Sequence, residues 1–193
     1  MKMQRLSLCI DIDGTITDPY YWIPRANRFF GTRVRPEDVV SYSMHEVLGV
    51  EERQYDEFYF AFGTSMHNEA AVRNHVQEVI GELYNTHYIH FVTAREEKMK
   101  FVSLDWLNRH RIPFDSISLL GSPDKVDMAK ELECDLFIED SYDNAIQLAE
   151  AGFEVLLIDC NYNRGPLLPN ITRVDDWRRI KEIIAHHLEM EAS

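Results

Sequence analysis

Five short apolar runs recur along the chain: LSLCI (6–10), HYIHFVT (87–93), SISLL (116–120), DLFIE (135–139) and EVLLID (154–159). Several are apolar at successive positions instead of every second one, the pattern of strands covered on both faces. Helical periodicity fills the intervals 96–110, 123–133 and 143–151. Phe101, Leu104 and Leu107 fall on one stripe of the first interval, and Gly152 closes the last as a C-cap. A final amphipathic helix is predicted from about Asp175 to Leu188, with Trp177, Ile180 and Ile184 turned to the sheet. This alternation predicts an α/β fold: a Rossmann-like, doubly wound parallel sheet with helices on both faces.

Residues 19–83 break the rhythm. They hold no convincing strand and are rich in aromatics, including Tyr20, Tyr21, Trp22, Phe58, Tyr59, Phe60 and Phe62. So long a connection needs structure of its own in a compact domain. The expected organisation is a core of 1–18 and 84–193 with a small helical cap at 19–83, inserted after the first strand. Most of its aromatics are expected to be core, since they carry the largest burial term.

The length of 193 residues suits one well-cored domain plus a modest insertion. A net charge of −13 argues against a nucleic-acid backbone or an anionic membrane as the main partner. A small anionic substrate stays compatible with it where a local site, above all one with a metal, overrides the global field. Cys9, Cys134 and Cys160 form no CxxC, and Cys9 and Cys134 read as buried free thiols. No GxxxxGK[ST] loop and no HExxH spacing occurs. The first residues carry no apolar run of signal-peptide length, and no stretch is long enough to span a bilayer, so a cytoplasmic location is expected.

Open α/β sheets bind ligands beyond the carboxyl ends of their strands. The residues there are Asp11 and Asp13, then Thr93, then Lys125, then Glu139 and Asp140. Each has a bland reading. Asp13-Gly14 is a common turn, TARE (93–96) is a capping box, and Glu139-Asp140-Ser141 can cap a helix. Ser122-Pro123 resembles an N-cap with a first-turn proline, which would put Lys125 in the first helical turn; Lys130 is the fallback. Arg95 and Arg164 lie near the rim, where a surface arginine is the default.

Together these residues describe one chemistry. A divalent cation favouring oxygen, most naturally Mg²⁺, lets Asp11 and Asp140 ionise side by side. Asp11 can attack phosphorus, Asp13 can serve as acid and base, Thr93 can hold a phosphate oxygen, and Lys125 can neutralise charge.

The motifs DIDGT, FVTAR, SPDK and LFIEDS, in this order, resemble those of the haloacid dehalogenase superfamily. The resemblance implies Asp11 as nucleophile, Asp13 as acid/base with a metal-binding backbone carbonyl, Thr93 and Lys125 as phosphate binders, and Asp140 as metal carboxylate. Glu139 stands where the superfamily often has aspartate, which leaves open which of the pair touches the metal. Asp13 favours phosphate chemistry over dehalogenation. Within the superfamily, LFIEDSYDNAIQLAEAGFEVLLID and NYNR are similar to the 5′(3′)-deoxyribonucleotidase branch. That implies Mg²⁺-dependent hydrolysis of a nucleoside monophosphate through an aspartyl-phosphate, with YYW (20–22) and FYFAF (58–62) as candidate stacking faces for a base. Two alternatives stand beside it: a phosphatase of sugar phosphates or other small metabolites, and a non-catalytic phosphate-binding regulatory module. No oligomeric state is assigned.

Overall fold

The computed structural model describes residues 5–191, with side chains through residue 186. The reading of the first four residues lies outside this range. Six strands, β1 (Ser7–Ile10), β2 (Tyr88–Thr93), β3 (Ser116–Leu119), β4 (Leu136–Glu139), β5 (Glu154–Ile158) and β6 (Ile171–Val174), form one sheet in the order β3-β2-β1-β4-β5-β6. Every pairing is parallel, with Leu8 opposite Ile89 on one side and Leu136 on the other. The α/β fold with a doubly wound parallel sheet is therefore as expected.

Alternation along the central strands explains how both faces are filled. Leu8, Ile10, Ile138, Leu156 and Ile158 enter one cluster, and Cys9, Phe137, Val155 and Leu157 enter the other. The first face is covered by α4 (Val76–Tyr84), α5 (Lys100–Arg109) and α8 (Trp177–Glu191). The second is covered by α6 (Val126–Glu131) and α7 (Tyr142–Glu150). Trp177, Ile180 and Ile184 of α8 are buried in the first cluster, as their spacing predicts. The three cysteines are buried and form no disulfide. Beyond Ala151, Gly152 adopts φ +95°, and the amides of Gly152 and Phe153 return to the carbonyls of Ala149 and Leu148.

Three local expectations need correction. The sixth strand, ITRV, escapes the apolar-run criterion because it is short, lies at the sheet edge and leaves Thr172 exposed. In α5 the buried stripe is Val102, Ser103, Trp106 and Leu107, while Phe101 is 83% exposed. Turning Trp106 inward buries the largest side chain of the helix, which outweighs the stripe through Phe101. That helix begins at Lys100, after a 3₁₀ turn at Glu97–Met99, so TARE makes no capping box.

Between β1 and β2 lie α1 (Ile23–Phe30), α2 (Met44–Leu48), α3 (Glu52–Glu69) and α4. Trp22, Ile23, Ala26, Val39, Leu48, Phe58 and Met66 form a separate hydrophobic cluster. Phe58 is fully buried, whereas Phe60 is 85% exposed. Val76, Val79, Ile80 and Leu83 of α4 pack into the cluster of the sheet. Among the described residues no helix is long and apolar enough to cross a membrane.

Candidate active site

Strand order reverses at β1, which has β2 on one side and β4 on the other, so residues following β1 and β4 meet at one rim. Asp11 follows β1, and its amide donates to the Ile138 carbonyl of β4 at 3.0 Å. Thr93 ends β2, Glu139 ends β4 and Asp140 follows it; all four side chains are buried.

Lys125 joins them from the β3–α6 connection. It is 2% exposed, and its Nζ donates to Asp11 Oδ1 at 2.5 Å and to Glu139 Oε2 at 2.7 Å. This corrects the expected local geometry. Helix α6 begins at Val126, with Lys125 at its N-cap position, so Ser122-Pro123 does not open the helix. Two carboxylates hold the cation. Lys130 is exposed and bonds only to Asp127, at 3.5 Å.

Burial pushes the Asp11 carboxyl up to about 7, even against the pull of Lys125. Burial would likewise lower Lys125, but Asp11 and Glu139 outweigh it and keep the ammonium charged. Glu139 is fully engaged: Oε2 takes Lys125, and Oε1 accepts the amides of Asp140 and Ser141 at 3.2 and 3.0 Å. Asp140 Oδ1 accepts from the Thr15 hydroxyl at 3.1 Å, and Oδ2 accepts from the Tyr162 hydroxyl. Burial, then the charges of Asp11 and Glu139, raise Asp140 well above the usual carboxylate range. Gly14, at φ +85°, lets the chain pass directly over this group, since a Cβ there would collide with Asp140 Oδ2.

One oxygen each from Asp11, Glu139 and Asp140 lie within 4.8 Å of one another. A buried, all-oxygen, acidic donor set is what a hard divalent cation such as Mg²⁺ requires.

Asp13 is held by a different cation. Arg95 grips it with both arms, Nε to Oδ2 at 2.7 Å and Nη2 to Oδ1 at 2.6 Å. The Arg95 Nη1 donates to Ser103 of α5 at 2.8 Å, and the side chain is 2% exposed. The expectation of a surface arginine is thus overturned for Arg95. It holds for Arg164, which pairs with Asp159 at the surface. Burial would raise the Asp13 carboxyl, but the Arg95 guanidinium outweighs it and holds it well below the usual range. Tyr21 donates to Asp13 Oδ1 at 3.1 Å; burial and the Asp13 charge keep its hydroxyl protonated.

A cavity of about 290 Å³ opens over Asp13, walled by Tyr21, Tyr42, Tyr55, Tyr59, His67 and Arg95 among others. The segment between β1 and β2, loops as well as helices, supplies most of that wall. Sequence reasoning missed Tyr42, His67, Thr15 and Tyr162. Tyr162 lies in the NYNR stretch and Thr15 in DIDGT, so both were within quoted motifs; His67 and Tyr42 carry no local signal.

The strand order and a lysine–carboxylate cluster behind DIDGT define a haloacid dehalogenase-type hydrolase. Solved structures agree on the fold. A haloacid dehalogenase-like hydrolase of Streptococcus pneumoniae superposes with a TM-score of 0.68 at 16% identity, covering 93% of this chain and 97% of that one. A β-phosphoglucomutase-like structure from Thermotoga maritima gives 0.64 at 15% identity, covering 95% and 99%. The chain belongs to the family described as 5′ nucleotidase, deoxy (Pyrimidine), cytosolic type C protein, whose profile matches residues 5–189. It is 46% identical over 182 residues to a nucleotidase of Clostridium acetobutylicum, covering 94% of this chain and 95% of that protein. YqfW of Bacillus subtilis is 32% identical over 173 residues, covering 89% and 90%. The protein is accordingly an enzyme of the nucleotidase type, a hydrolase acting on phosphoric monoesters.

Proposed function

We propose that the enzyme hydrolyses a nucleoside monophosphate in a Mg²⁺-dependent reaction through an aspartyl-phosphate on Asp11. The observation that carries this reading is the convergence of Asp11, Thr93, Lys125 and Asp140 at one rim, with Asp13 facing the tyrosine-walled cavity beside them. The residues proposed to hold Mg²⁺ are Asp11 and Asp140, with the Asp13 backbone carbonyl that the family resemblance implies; Glu139 lies within reach of both carboxylates and also accepts from Lys125 and two amides. When bound, Mg²⁺ supplies the positive charge that lets these carboxylates ionise together and draws in phosphate.

In the first half-reaction Asp11 forms a bond to phosphorus while the ester P–O bond breaks, and Asp13 protonates the departing alkoxide. Lys125 holds Asp11 by Oδ1, which leaves Oδ2 for the attack. Thr93 binds a non-bridging phosphate oxygen, and Lys125 offsets the charge that builds on the transferring group. In the second half-reaction Asp13 takes a proton from water as the water attacks phosphorus, releasing phosphate and restoring the Asp11 carboxylate. In the arrangement described above Asp13 is a carboxylate, ready for this second step. A monoester entering as its monoanion brings the proton for the first, handing it to Asp13, which delivers it to the departing alkoxide.

The tyrosine wall favours a nucleoside over a compact sugar phosphate, because phenol rings offer a base a face as well as hydroxyl groups. The reading is tested by phosphate release from nucleoside monophosphates and sugar phosphates, with Mg²⁺ and with EDTA. Release confined to nucleotides and abolished by EDTA is expected. Release from sugar phosphates alone would discard the substrate, and release that survives chelation would discard the metal.

A further inference from the structure

Asp13 is gripped from two sides, and only one side belongs to the sheet. Arg95 holds both carboxylate oxygens from the β2–α5 connection. Opposite it stands His67 of α3, a residue of the inserted helices and only 3% exposed. Its Nδ1 lies 2.9 Å from the Tyr21 hydroxyl and 3.3 Å from Asp13 Oδ1, and its Nε2 lies 2.8 Å from the Tyr59 hydroxyl. The hydrogen-bond pattern is satisfied with the ring proton on Nδ1. Tyr59 then donates to Nε2, Nδ1–H donates to the Tyr21 oxygen, and the Tyr21 hydroxyl donates to Asp13 Oδ1.

Packing does not explain the histidine. Phe58 and Met66, on the same helix, fill the hydrophobic cluster, whereas His67 spends both ring nitrogens on the polar chain leading to Asp13. A group that exchanges a proton with a leaving oxygen gains from being fixed in direction as well as place.

We propose that His67, acting through Tyr21, is a positioning residue for Asp13: it holds the carboxylate by Oδ1, fixes its direction and so ties proton transfer to the inserted helices. The inference rests on the reading of Asp13 as acid/base, and the test separates the two. Positioning the acid matters for an alkoxide leaving group and hardly matters for a nitrophenolate, which departs without a proton. Single-turnover release, which isolates the first half-reaction, is measured with a nucleoside 5′-monophosphate and with p-nitrophenyl phosphate.

His67→Leu and the near-isosteric Tyr21→Phe are expected to slow alkoxide release by about 10²-fold and nitrophenolate release by less than about threefold. His67→Asn, which offers an amide N–H close to the Nδ1 position, is expected to recover about tenfold of the loss. Equal loss on both substrates, or no loss on either, in the well-folded Tyr21→Phe protein would overturn the proposal. Asp13→Asn is the separate check. Selective loss of alkoxide release there keeps the acid/base reading even if His67 fails, and its absence removes the reading and the proposal with it.

Discussion

Arg95 and Asp13 form a two-pronged ion pair, at 2.6 and 2.7 Å, that joins the turn after β1 to the connection after β2. A fork of this geometry fixes the carboxylate's plane, which a lysine could not do. Arg95→Met removes the cation and strands Asp13, whose side chain is 29% exposed. Partial access to water trims the usual cost of breaking a buried pair, so a loss of about 2–3 kcal/mol is expected, with kcat reduced about 10²-fold. Asp13 is depressed in the folded state, so its contribution is present above the unfolded value of 3.8 and lost as pH falls through the folded one. Denaturant midpoints of the two proteins should therefore converge in acid. A gap that persists unchanged there would show that the pair is not its source.

Asp11 and Asp140 move the opposite way, raised by burial, Asp11 to about 7. Between 3.8 and that value the folded chain binds more protons than the unfolded one, so this contribution to metal-free stability falls as pH rises. A cation held by these groups displaces their protons. Thermal stabilisation by Mg²⁺ should accordingly be small near about pH 5 and larger near about pH 8. Paired melting scans with Mg²⁺ and EDTA check this, and equal shifts at both pH values would contradict it.

Lys125 and Lys130 are five residues apart and should behave as opposites. Lys125→Met leaves Asp11 and Glu139 facing each other without a cation, at an expected cost of about 3–5 kcal/mol together with loss of turnover. Lys130→Ala touches only an exposed pair and should change stability by less than about 0.5 kcal/mol. Chemical denaturation and turnover of both variants decide the matter.

Gly14→Ala puts a methyl group against Asp140 Oδ2 and within 2.7 Å of the Tyr162 hydroxyl, in a backbone conformation that disfavours side chains. The strain alone is worth about 1–2 kcal/mol, and displacement of Asp140 adds to it. Lower thermal stability and weaker Mg²⁺ stabilisation are expected together. A variant with unaltered metal response would show that Gly14 serves only the turn.

Much of this arrangement can be read in the sequence because burial and charge meet abruptly. Strands β1 and β4 are buried at every position and lead directly into carboxylates, so both the sheet and its functional rim announce themselves. Elements whose character depends on distant partners do not. ITRV pairs with β5 at the edge and needs no apolar run, and α4 looks like part of the insertion until its contacts with the sheet are seen. Arg95 looks like a surface cation until Asp13 arrives from 82 residues away. His67 and Tyr42 gain their place from the folding of the insertion over the rim, which no local pattern encodes.

The central claim is that Asp11 carries the phosphoryl group. The most direct measurement is acid quench of the enzyme during turnover of a nucleoside monophosphate with Mg²⁺, followed by mass analysis of the peptide containing Asp11. A phosphoryl adduct on that peptide, absent from Asp11→Asn and discharged on standing with Mg²⁺, is the predicted result. Turnover with no adduct under any quench, and an Asp11→Asn protein as active as the parent, would contradict the account.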